Sequence, residues 1–158
     1  MGMIGRYFAI DDTLVQQVTE GKAELHNLNP DDYPNLDIDK SWEAIHYLLC
    51  KDISDGEPPL GYVVPLLTSQ HLEYGAFGAF YLRAGQVAEA HQAIAELDEG
   101  QLRLRYDFQA MVKEEIYPFV EDEDEDELFA YVLQNFEEIQ RFYSQAAAEG
   151  KGIIFYIF

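Results

Sequence analysis

The sequence predicts an α/β (or α+β) domain, with helices packed on both faces of a mostly buried sheet in a three-layer helix–sheet–helix arrangement. Three observations carry this. Arg6-Tyr7-Phe8-Ala9-Ile10 reads as a first strand. Several segments between residues 12 and 149 repeat their apolar residues at the helical period. Gly152 to Phe158 is apolar without alternation, as a strand covered on both faces requires.

Each element has its own signal. Asp11-Asp12 stops the first strand and offers N-caps for a short helix carrying Leu14, Val15 and Val18, with Gly21 ending it. Asn29 to Asn35 holds two prolines and reads as a loop. Trp42, Ile45, His46 and Leu49 fall at i, i+3, i+4 and i+7, one face of a helix that Asp39 or Ser41 can cap. Lys51 to Gly61 is a loop leading into Tyr62-Val63-Val64, where Pro65 limits any strand to an edge or a short piece. Phe77 to Leu82 reads as a strand, followed by a helix with Val87, Ala90, His91, Ile94 and Leu97 inward. A second helical stretch spans Leu102 to Tyr106, and Asp107 can cap a third with Phe108, Met111 and Val112 inward. The longest helix is expected from about Glu127 to Glu149, with Leu128, Val132, Phe136, Ile139 and Tyr143 as its buried stripe. No internal repeat or linker divides residues 1–158, so one domain is expected, with a buried C-terminal strand.

Thirty acids against ten bases give a net charge of -20, and the bases never cluster. A nucleic-acid backbone or an anionic membrane meets net repulsion, so neither is an expected partner. A basic protein or a cation is attracted, although acidic surfaces also confer solubility without any partner. Cys50 is alone, which excludes an intramolecular disulfide and a thiolate zinc cluster. Met1 to Arg6 is too short an apolar patch for a signal peptide. No apolar run approaches the ~20 residues of a membrane span. A cytoplasmic location is the expectation.

Motifs for chemistry are sparse. His26, His46, His71 and His91 never fall four residues apart, so the metalloprotease helix pattern is absent. His71-Leu72-Glu73 imitates half a deaminase signature without the cysteine pair it needs. Gly75-Ala76-Phe77-Gly78 matches a nucleic-acid clamp loop as a string, yet no base lies between Lys51 and Arg83. Glu121 to Glu127 is an unbroken acidic run lacking the glycine and neutral positions of a calcium loop. Its acids suit the positive end of the following helix. Phosphate loops and dinucleotide fingerprints are absent, so neither a cofactor nor a metal is expected.

The segment Leu36 to Leu49, with Asp37, Lys40, Trp42 and His46 in order, resembles the YfbM-like family of small bacterial proteins, a domain of unknown function. Pro59-Leu60-Gly61, Tyr81-Leu82 before a helix with Val87, Tyr106-Asp107 and Ile116-Tyr117-Pro118 add to the likeness. The resemblance implies a three-layer fold and no established activity. The acidic run departs from it.

Asp37, Lys40, Trp42 and His46, with Asp39 beside them, form the candidate pocket. An acid just before a helix, with Trp and His on its face, can orient an imidazole as a general base. The structural alternative is a buried His bonded to Asp37 or to a backbone carbonyl, and the core-facing stripe favours it. The leading expectation for function is a non-enzymatic acidic protein-binding domain, of inhibitor or immunity type. The alternative is a small hydrolase or transferase, or a metabolite binder, with its site at Asp37–His46.

Overall fold

A computed structural model describes residues 2–158. Its centre is the strand that the apolar C-terminal run predicts. Five strands, β1 (Gly5–Asp11), β2 (Asn35–Asp37), β3 (His71–Leu72), β4 (Ala79–Leu82) and β5 (Lys151–Ile157), form one sheet in the order β2-β1-β5-β4-β3. Every pairing is antiparallel. β5 lies between β1 and β4, in register from Gly5 opposite Ile157 to Asp11 opposite Lys151. A central strand has no solvent face, which is why its sequence does not alternate.

Strand geometry sends successive side chains to opposite faces. Tyr7, Ala9, Leu82, Ile153 and Phe155 therefore share one face and belong to the larger core cluster. Phe8, Ile10, Ala79, Ile154 and Tyr156 share the other and belong to the smaller cluster. Helices α2 (Trp42–Cys50), α3 (Ala84–Ile94), α4 (Glu99–Arg105), α5 (Phe108–Lys113) and α6 (Glu125–Ala148) cover the first face. α1 (Asp12–Thr19) covers part of the second through Val15 and Val18, helped by Leu25. This is the expected three-layer, helix–sheet–helix α+β fold.

Several local expectations are corrected. Tyr62-Val63-Val64 is not a strand. A single 3-10 turn at Leu60–Tyr62 leads into irregular chain in which Val63, Val64, Leu66 and Leu67 are all buried. Buried backbone outside a sheet needs other partners. The Tyr143 hydroxyl donates to the carbonyls of Tyr62 (3.0 Å) and Val63 (2.7 Å), and the Tyr7 hydroxyl donates to Val63 (2.7 Å). In α6 the buried stripe begins at Phe129, while Leu128 is only half-buried. Asp124 caps that helix by accepting from the amides of Asp126 and Glu127. Asp11 makes no cap bond; the neighbouring Asp12 instead receives Arg83 in two bonds of 2.9 Å and the Ala84 amide at 2.8 Å. Neither Asp39 nor Ser41 caps α2. Asp107 does cap α5, accepting from the Ala110 amide at 3.0 Å.

Candidate functional site

The candidate residues before and within α2 are drawn into separate hydrogen bonds. Asp37 ends β2 on the surface, and its Oδ1 accepts from the Asp39 amide at 2.7 Å. That bond closes a turn typical of Asp and helps hold Asp39 at a φ of 53°, in the left-handed region. The Asp39 carboxylate accepts from the Tyr131 hydroxyl at 2.6 Å, and the same hydroxyl accepts from the Lys40 amide at 2.9 Å. Burial, then this bond to Asp39, holds the Tyr131 phenol well above its ordinary pKa, so it remains a donor. The Lys40 stem runs past Gly2, where an added Cβ would clash with Lys40 Cε.

Trp42 and His46 lie inward. Trp42 is 7% exposed, its Nε1 donates to the Met3 carbonyl at 2.9 Å, and its ring tilts against Tyr117. His46 is 1% exposed, and its Nδ1 is 2.8 Å from the carbonyl of Asp52. A carbonyl only accepts, so Nδ1 carries the proton. Nε2 is then a bare acceptor, buried and without a partner. Burial lowers the His46 pKa. Asp37 therefore bonds neither His46 nor Lys40, and none of the four lines the clefts described next. Burial pushes the thiol of Cys50, four residues beyond His46, up to about 11, which favours its protonated form. Among the described residues, no group of three or more His, Cys, Asp or Glu could hold a metal ion.

The open surface lies elsewhere. Phe77 (51% exposed), Val120 (51%) and Phe158 (53%) are large apolar side chains left in solvent. Val120 borders one of three clefts, and Phe77 and Phe158 each border the other two. A cleft of about 500 Å³ is lined by Val112, Tyr117, Phe119 and Val120, with Glu115 and Glu121 at its rim. Tyr117 also lines a second, of about 360 Å³, together with Met3, Phe77 and Phe158. Phe77 and Phe158 in turn line a third, of about 590 Å³, with Arg6, His26, Tyr74 and Tyr156. Neighbouring clefts thus share lining residues, while the first and third share none.

The first and third clefts differ in charge. At the first, Glu121 opens the acidic run that continues through Glu127, all of it exposed. At the other, the Arg6 guanidinium is satisfied by Asp31 (2.5 Å), Asn35 (3.0 Å) and the Tyr156 hydroxyl (3.3 Å). The aromatic wall there is already packed: Tyr74 meets Tyr156 edge-on at 5.1 Å, and His26 stacks on Tyr74 at 5.1 Å. Sequence reasoning missed these clefts. The available signal was Tyr74 and Phe77, two large apolar rings placed among the turn residues Gly75, Ala76 and Gly78.

The fold and its surface define a small α+β domain with several apolar clefts, one of them lined also by Glu115 and Glu121. The chain belongs to the family described as a domain of unknown function (DUF1877), whose match covers residues 1–156. Its fold is similar to that of YfbM from Escherichia coli, a protein of unknown function with a crystal structure. The TM-score is 0.76 at 23% identity, over 98% of this chain and 99% of that one. No curated protein matches the chain. No helix among the described residues is long and apolar enough to cross a membrane.

Proposed function

We propose that this chain is a non-enzymatic protein-binding domain, of inhibitor or immunity type, whose partner presents a basic surface. The observation that carries the reading is the placement of the acidic run against exposed apolar side chains. Glu115 and Glu121 rim the cleft that Val120 lines, and six further acids follow in sequence. Among the described residues, no Lys or Arg forms an ion pair with any acid from Glu121 to Glu127, while six of the ten bases pair elsewhere. Such a surface offers unneutralised charge for encounter and apolar area for burial, the combination a polar-rimmed interface uses.

The test is capture of partners from cell extract at about 0.05 M and about 0.5 M salt, spanning Debye lengths from above to below about 10 Å. Association kinetics then follow for the partner recovered. Replacing the acids of Glu121–Glu127 by Gln or Asn should slow association more than it speeds dissociation. A partner whose affinity ignores both salt and these substitutions overturns the reading.

A further inference from the structure

A separate cleft, of about 400 Å³, lies between α3 and α6. On α6 it is lined by Arg141, Ser144, Gln145 and Ala148, which fall at i, i+3, i+4 and i+7 and so share one helix face. His91 and Ala95, one turn apart, line it from the end of α3. The chain carries thirty acids, yet none lines this cleft, whereas an arginine and a histidine do.

Its polar groups are set as donors. Of the His91 ring nitrogens, Nδ1 is buried without a partner. A proton there would have no acceptor, so the neutral ring carries it on Nε2, the nitrogen left to face the cleft. A helix C-terminus ordinarily presents unpaired carbonyls, which repel an anion. Here Gln140 Nε2 donates to the carbonyls of Ile94 (2.7 Å) and Leu97 (2.9 Å), so those acceptors are occupied. Arg141 gives one bond to Glu138, at 2.7 Å, in a pair whose two side chains are both exposed. An exposed pair of this kind holds its members weakly, and a guanidinium has further N–H groups to offer. Exposed Ser144 and Gln145 add a hydroxyl and a carboxamide.

We propose that this cleft binds a small carboxylate anion, its oxygens held by Arg141, Gln145 and His91 Nε2 and its short apolar body resting on Ala95 and Ala148. The guanidinium fork matches two carboxylate oxygens. The volume sits near the lower end for ligand sites, which restricts the ligand to a small molecule. A net charge of -20 opposes a dianion more than a monoanion, so a carboxylate fits better than a phosphate. The site uses no residue of the acidic run, so it goes beyond the protein-binding reading and stands or falls apart from it.

The experiment is an NMR titration of the full chain with propionate at constant ionic strength. Signals of His91, Arg141 and Gln145 should shift and saturate. Propionamide, of the same shape without the charge, should leave them in place. Arg141→Gln should weaken propionate binding by about tenfold or more, as the loss of a hydrogen bond to a charged group implies. Glu138→Gln should strengthen it by about twofold, since it removes an exposed competitor for the guanidinium. Both residues are exposed, so both variants should melt as the parent does, and altered binding then reports the site rather than the fold. Propionate shifts that fail to saturate, or that persist unchanged in Arg141→Gln, overturn the proposal. Equal shifts from propionamide, or tighter binding of inorganic phosphate, overturn the carboxylate assignment.

Discussion

His46 shows what a single residue in α2 does. The Asp52 carbonyl fixes its proton on Nδ1, and the surrounding core leaves Nε2 unpaired. His46→Ala removes a buried ring and orphans that carbonyl's bond, which should cost about 1–3 kcal/mol in a denaturant melt. An unchanged melt would make α2 the first place to look for a ligand. Its pH dependence has a definite sign. Burial depresses the folded-state pKa below the ordinary 6.5, so the unfolded chain takes up a proton first as pH falls. Stability from this residue is full above about 6.5 and declines below it, until the folded pKa is also passed. His46→Gln, which can still donate to Asp52, should lack that decline when melts at neutral and mildly acidic pH are compared. The pairing of Trp42 and His46 on one helix face was legible from their spacing. Their partners were not, because Met3 and Asp52 lie in segments whose course depends on the packed fold rather than on local pattern.

At the scale of elements, the long apolar signals translated directly into structure and the short ones did not. β5 and α6 were legible because each has a run of buried positions longer than any competing turn. β2 and β3 have three and two residues, and only pairing with β1 and β4 makes them strands. Tyr62–Val64 misled for a related reason: β-branched residues mark burial, and here two tyrosine hydroxyls replace the sheet ladder. Tyr143→Phe leaves the Tyr62 carbonyl without its hydroxyl donor while Tyr7 still serves Val63. It should cost about 1–2 kcal/mol, and the double change with Tyr7→Phe should cost more than the sum of the two. β5 supplies a second test, where α1 crosses it. An added Cβ on Gly152 would stand 2.5 Å from Val15 Cγ2 and 2.8 Å from the Leu82 carbonyl oxygen. Gly152→Ala should therefore destabilise by about 1–3 kcal/mol, an overpacking cost readable as a lowered melting temperature. Removing residues 151–158 takes out the middle strand of the sheet and should leave an insoluble or molten protein. Cooperative unfolding of that truncated chain would show that β1 and β4 do not need it.

Over the whole molecule, charge is the dominant fact that pairwise contacts do not absorb. A net charge of -20 on one domain means self-repulsion in the folded state, stronger at low ionic strength. Added salt should stabilise the free protein while weakening any complex made through the acidic face, two opposite responses from one cause. The variant with Glu121–Glu127 changed to Gln or Asn separates them. Asp124→Asn keeps the cap, because Asn accepts from the first-turn amides as well as Asp does. Replacing Glu125, Asp126 and Glu127 loses favourable dipole contacts of about 0.3–1 kcal/mol each. Relief of repulsion among seven adjacent acids acts in the other direction, and none of the seven is buried. The variant should therefore fold with a melting temperature close to the parent's. Its melting temperature should rise less steeply with salt, since less repulsion remains to be screened. A variant that loses cooperative unfolding would mean that the run is a structural part of α6. The acidic face would then be a by-product of helix capping, and its place beside the cleft that Val120 lines would carry no message about a partner.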